Sequence, residues 1–221
     1  IERLPTPFGL IRGGIAPDHQ STKDVARVFE KTLDREGVRL LGNVELGRDI
    51  SYGELKALYD VVVLAVGAQV PRPLGIPGEE LAGVANVIDF VGWYNAVPES
   101  RDYSAAVNAE AAVVIGNGNV ALDVARILAK TRAELEESDI VPAVADAIAA
   151  APMKDIYVIG RRGPIESSFS FPELSEFADL EEAVPLARAA QLPEDASAAE
   201  ESARKNTRKN LDLFKTYAAN A

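Results

Sequence analysis

Cysteine is absent from the 221 residues, and histidine, methionine and tryptophan occur once each. Without cysteine there is no disulfide, no cysteine-held metal and no redox-active thiol pair. One histidine cannot build a His-rich metal site, so no metal is expected. No apolar run approaches the ~20 residues that span a bilayer, and no signal peptide is visible. The expectation is therefore a cytoplasmic protein without a membrane span. Basic residues are scarce too: 23 stand against 34 acidic ones, and the net charge of -11 argues against general nucleic-acid binding. Apolar residues are abundant, at 48%, which is a globular composition with room for one large domain or two smaller ones. The chain starts at Ile1 without Met and reads as a piece of something longer.

The most informative stretch is Ala111 to Arg126, AAVVIGNGNVALDVAR. Ala112 to Ile115 predicts a short buried strand. From Asn119 the pattern turns helical, with Val120, Val124 and Ile127 on one stripe and Leu122 and Ala125 beside it. Asp123 reads as the polar surface of that helix. Between strand and helix stands G-x-G-x-x-A, formed by Gly116, Gly118 and Ala121. Gly116 makes the tight turn, Gly118 lets backbone approach a pyrophosphate, and Ala121 lets the helix lie close to the strand. The helix N-terminus, with its free N–H groups and positive dipole end, then faces the phosphates. The alternative is an ordinary glycine turn; the strand before and the helix after favour the nucleotide reading.

Upstream, Ile1 to Asp18 is rich in turns, with Pro5 and Pro7 extended and Gly13-Gly14 open to close approach. Ser21 or Thr22 can cap a helix to about Glu36, with Val25, Val28, Phe29 and Leu33 on its buried face. Val38–Leu41 and Val44–Leu46 suit short strands around Gly42-Asn43. Ser51–Leu58 reads as a short helix with a Ser51/Glu54 capping box. Asp60 to Gly67, DVVVLAVG, predicts a central parallel strand, and Asp89 to Ala96 an amphipathic helix.

Downstream, Glu134 to Ala150 predicts one or two helices broken near Pro142, and Ile156 to Ile159 a second strand. Arg161-Arg162 follow that strand. An Asp or Glu at this place accepts ribose hydroxyls in NAD sites, whereas Arg accommodates the 2'-phosphate of NADP, and two guanidiniums can bind a phosphate bidentately. The distance from the glycines is about twice the usual ~20 residues. The alternative is a pair of solvent arginines in a turn. Glu166 to Glu201 is acidic, and reads as a solvated face and linker. Arg204, Lys205, Arg208 and Lys209 then form basic rows on a C-terminal helix.

Together VVIGNGNVALDVARI and VIGRRGP resemble the NADP domain of ferredoxin–NADP reductases of the adrenodoxin-reductase type. RLPTPFGLIRGGIAPDH, IPGEE and DFVGWYNA resemble segments of that family's flavin domain, so the likeness runs to about Leu180. It implies an α/β fold: a Rossmann-like NADP-binding domain plus part of a Rossmann-like FAD-binding domain. The boundaries implied are 1–95 for the FAD part and 107–221 for the NADP domain with its C-terminal helix. The implied activity moves electrons between NADPH and a ferredoxin-type iron–sulfur protein through FAD. The family's own flavin glycine motif would precede Ile1, so this chain alone is expected to be inactive and colourless. A related flavin oxidoreductase subunit of the glutamate synthase small-subunit type, or a non-catalytic NADP-binding fragment, stay open as alternatives.

By matching motifs, the resemblance assigns Gly116, Asn117, Gly118, Asn119 and Val120 to the pyrophosphate, and Arg161 and Arg162 to the 2'-phosphate. Glu173, in FPELSEF, matches a carboxylate near the nucleotide, although Pro172 departs from the pattern. Glu2, Leu10 and Leu46 match flavin-contacting positions. His19 matches a histidine beside the flavin, and Glu176 a carboxylate near the nicotinamide; both would orient and polarise. Without the resemblance, His19 reads as a surface or capping residue, and Glu173 and Glu176 as a solvated helix face. The basic rows of Arg204, Lys205, Arg208 and Lys209 would dock the iron–sulfur partner, or else simply be solvated.

Overall fold

Signals at helix ends decide much of the local structure. The computed structural model describes residues 1–193 and 207–220. They divide into two units, Ile1–Leu81 with Ala85–Arg101, and Ala82–Val84 with Asp102–Ala221.

The first unit carries α1 (Gly9–Gly13), α2 (Gln20–Lys23), α3 (Ala26–Leu33), α4 (Tyr52–Leu58) and α5 (Val87–Tyr94). The Ser51/Glu54 capping box is formed in full at the head of α4. Asn86 caps α5 by accepting the Asp89 N–H at 3.0 Å. Helix α5 buries Phe90, Val91, Trp93 and Tyr94, with the Phe90 and Trp93 rings 5.3 Å apart. Gly92 leaves room for Ser100, whose Oγ a Cβ there would approach to 2.2 Å.

Other expectations for this unit fail. The helix expected from Ser21 or Thr22 to Glu36 is split into α2 and α3. Its apolar stripe is exposed, with Val28 at 60% and Phe29 at 47%. The residues of Val38–Leu46 form no strand but bond to the chain start: Leu41 O accepts the Glu2 N–H, Glu2 O the Val44 N–H and Leu4 O the Asn43 N–H. Asp60–Gly67 is not a strand either, and Val61, Val63 and Val66 are 76%, 81% and 66% exposed. The common reason is that, among the described residues, this unit contains no strand, only an isolated bridge between Leu46 and Ile50. A strand-like pattern becomes a strand only against a neighbour, and an amphipathic helix buries its stripe only against a sheet or another helix.

The second unit begins with α6 (Ser104–Val107) and β1 (Ala111–Ile115), followed by α7 (Asn119–Ala129), α8 (Arg132–Glu136), α9 (Pro142–Ala149) and β2 (Asp155–Ile159). Strands β1 and β2 pair in parallel, in register from Ala111–Asp155 to Ile115–Ile159. The region expected to hold one or two helices holds two. Thr131 and Glu134 form a capping box at α8, and Pro142 opens α9 at its first position, where its missing N–H costs nothing. Val113 and Ile115 are 57% and 59% exposed, so β1 is not the buried strand its apolar run suggests. With two described strands, the sheet has one face left uncovered.

Helices α10 (Phe171–Ser175) and α11 (Thr207–Ala218) close the unit. Leu122, Phe169, Leu174 and Tyr217 form a buried cluster, with Phe177, Leu213 and Phe214 packed against it. No helix among the described residues is long and apolar enough to cross a membrane.

Candidate functional site

The site is built where β1 gives way to α7, beside the end of β2. Gly116 N donates to Ile159 O at 3.0 Å, which ties the glycine loop to the last residue of β2. A Cβ on Gly116 would lie 3.2 Å from that of Ala121, so a small residue at 121 and none at 116 keep helix and loop in close contact. Gly118 takes the N-cap of α7 in an extended conformation and supplies no side chain to cap it. The Ala121 N–H donates to Gly118 O at 3.0 Å, and no side chain caps the Asn119 and Val120 N–H groups ahead of it, an arrangement that suits an anionic ligand.

A second segment, 167–173, folds over the loop. Asn117 O accepts both the Ser168 N–H and the Ser168 hydroxyl at 2.8 Å. Asn119 Oδ1 accepts the Ser170 N–H at 2.8 Å, and Asn119 Nδ2 donates to Glu173 Oε1 at 2.9 Å. The second carboxylate oxygen, Glu173 Oε2, is buried and has no hydrogen-bond partner. The Asn117 side chain lies against Gly160, where a Cβ would come within 2.9 Å of it. Gly116, Asn117, Gly118, Asn119 and Glu173 are thus brought together. The Asn119 side chain is committed to Ser170 and Glu173, so what it can offer a phosphate is its backbone N–H. Val120, assigned to the inward stripe of α7, is 45% exposed, because it sits in the first turn at the open end of the helix. Arg161 and Arg162 leave the end of β2 and are exposed.

Glu176 is engaged differently. Its Oε2 pairs with Arg126 Nη1 at 2.7 Å, and Arg126 Nη1 also reaches Asp123 Oδ1 at 3.0 Å. Arg126 is 2% exposed and Asp123 8%. Asp123 is therefore not polar helix surface; its partner three residues on turns inward with it. Arg126, Ser168, Ser170 and Gly160 were missed by sequence reasoning. An acid–base pair at i,i+3 was a usable signal for Arg126; the serines make contacts that no local pattern encodes.

The remaining candidates lie in the first unit or on α11. His19 is half-buried at the N-terminal cap position of α2 without capping it through its side chain. Glu2 Oε1 accepts the Leu4 N–H at 2.9 Å. Leu10 is 77% exposed, and Leu46 forms the bridge to Ile50. Arg208 and Lys209 are exposed on α11, with Lys209 Nζ 5.4 Å above the Phe171 ring. Arg204 and Lys205 lie outside the described residues. No group of three or more potential metal ligands occurs among the described residues.

Residues 11–165 match the pyridine nucleotide-disulphide oxidoreductase family. The chain is 43% identical over 217 residues to NADPH-ferredoxin reductase FprA of Mycobacterium leprae, covering 98% of this chain and 48% of the relative. It is 44% identical over 185 residues to the mitochondrial NADPH:adrenodoxin oxidoreductase of Homo sapiens, covering 84% and 38%. The solved structure of Mycobacterium tuberculosis FprA in complex with NADPH superimposes with a TM-score of 0.91 at 42% identity, over 98% of this chain and 48% of that one. The fold class is α/β and Rossmann-like. The chain spans about half the length of the FprA relatives it matches.

Proposed function

The chain belongs to the pyridine nucleotide-disulphide oxidoreductase family, and from that premise we propose that it is the NADP-binding domain, with part of the FAD-binding domain, of a flavin-dependent reductase. The reductase exchanges electrons between NADPH and a ferredoxin-type iron–sulfur protein, as the names of its relatives indicate for them. The observation that carries this reading is the glycine loop heading α7 beside a parallel strand that ends in two arginines. The residues fit the nucleotide. An uncapped helix N-terminus suits the pyrophosphate, two exposed guanidiniums suit the 2'-phosphate, and the orphaned Glu173 Oε2 offers an acceptor to a ligand hydroxyl or amide.

Nicotinamide and flavin supply the hydride and electron chemistry when bound. The chain's own task is to hold and orient. Gly116 ties the loop to β2, Asn117 to Val120 present backbone N–H groups, Asn119 holds Glu173 in place, and Arg161 and Arg162 select the phosphorylated ribose. Flavin contacts are proposed for Glu2, Leu10 and Leu46. Orienting roles are proposed for His19 toward the flavin and Glu176 toward the nicotinamide. Arg204, Lys205, Arg208 and Lys209 are proposed to dock the iron–sulfur partner.

The test is nucleotide affinity after replacing Arg161 and Arg162 with Ala. Losing hydrogen bonds to a charged group costs about 1.5–3 kcal/mol each, so NADPH binding should weaken at least about tenfold while NADH binding stays nearly unchanged. Equal losses for both nucleotides would overturn the assignment.

A further inference from the structure

The turn that leaves β2 carries opposed charges. Its sequence is Arg161-Arg162-Gly163-Pro164-Ile165-Glu166. Pro164–Glu166 forms one turn of 3-10 helix, closed by the Glu166 N–H donating to Gly163 O at 3.2 Å. The reversal returns the Glu166 carboxylate to the residue next to the arginines. A Cβ on Gly163 would lie 3.3 Å from Glu166 Oε2. Gly163 has no side chain to fill that gap, so the carboxylate lies directly over the backbone that follows Arg162. Arg161, Arg162 and Glu166 are all exposed.

A carboxylate after the second strand favours the free ribose hydroxyls of NAD, and arginine favours the 2'-phosphate of NADP. This turn holds both. We propose that Glu166 is a specificity-determining residue: its carboxylate opposes the 2'-phosphate that Arg161 and Arg162 attract, and narrows the preference for NADPH over NADH. The inference rests on the arginine reading given above. A single negative charge within one turn of a doubly charged phosphate, in a solvated setting, changes affinity by roughly three- to tenfold at low salt. Because the groups are exposed, the effect fades once the Debye length falls below ~10 Å.

The experiment measures the Kd of NADPH and of NADH at low and high salt. It compares the protein with Glu166→Gln, Glu166→Lys and the double change of Arg161 and Arg162 to Ala. Glu166→Gln should bind NADPH about three- to tenfold more tightly at low salt, with NADH unchanged or weaker, and Glu166→Lys should extend the gain. An unchanged or smaller NADPH-to-NADH preference in both Glu166 variants, with the arginine variant losing NADPH, overturns this inference alone. An arginine variant that keeps its NADPH affinity overturns the arginine reading, and this inference falls with it.

Discussion

A guanidinium sealed from water has to be matched by carboxylates, and Arg126 is matched by two. Its Nη1 lies 3.0 Å from Asp123 Oδ1 and 2.7 Å from Glu176 Oε2. The two carboxylates are not equivalent, since the Asp123 side chain is 12% exposed and that of Glu176 37%. Removing the cation takes from the buried Asp123 carboxylate its partner at 3.0 Å, and breaking a buried pair from one side costs about 3–5 kcal/mol. Removing Glu176 deletes a partly solvated partner and leaves Arg126 still paired with Asp123, which costs less. Arg126→Met should therefore lower stability several times more than Glu176→Gln in chemical denaturation at neutral pH. Equal costs would mean that Glu176, not Asp123, is the partner Arg126 needs. The same geometry bears on the orienting role proposed for Glu176, because the pair with Arg126 restrains its carboxylate.

Among the elements, those with a local signature were legible and those without one were not. Ser51 and Glu54 announce the start of α4 three residues apart, and the box forms. Thr131 and Glu134 carry the same signature, so α8 starts at Arg132, ahead of the Glu134 start expected from the alanine-rich run alone. Helix α11 was legible only as a helix with a basic face. What anchors it is Tyr217, 4% exposed, whose hydroxyl donates to Leu174 O at 2.8 Å. Burial, with the negative charge of Asp179 adding to it, pushes the Tyr217 phenol up to about 12, against about 10 in an unfolded chain. Below pH 10 both states keep the proton, so the contribution is intact. Between about pH 10 and 12 the unfolded state gives the proton up first, and stability falls as pH rises. The unfolding free energy should drop by about 1–2 kcal/mol across that window relative to Tyr217→Phe. A variant that follows the parent curve through the window would show that α11 does not depend on this phenol.

At the scale of the whole molecule, the second unit was legible because its parallel pair, β1 and β2, frames a helix that follows β1 directly, so most of its pattern is local. In the first unit only the capped helices α4 and α5 were, because Asp60–Gly67 carries a strand pattern whose realisation depends on pairing that no local signal supplies. The charge distribution is a further property that belongs to no single element. A chain of net charge -11 repels an acidic partner unless one face is locally basic. Arg208 and Lys209 are exposed on α11, and Lys209 is steadied over the Phe171 ring, which limits the side-chain entropy lost on docking. Arg204 and Lys205 continue the basic stretch in sequence. If this face docks an acidic iron–sulfur protein, affinity should fall steeply as ionic strength approaches 0.1 M, where the Debye length is ~10 Å. Reversing the charges of Arg204, Lys205, Arg208 and Lys209 should weaken binding of a ferredoxin-type protein by at least about tenfold and flatten its salt dependence. NADPH affinity should stay unchanged, because the nucleotide loop is built by other residues. A partner affinity that ignores both salt and the four reversals would leave these residues a solvated helix face and place docking elsewhere on the protein.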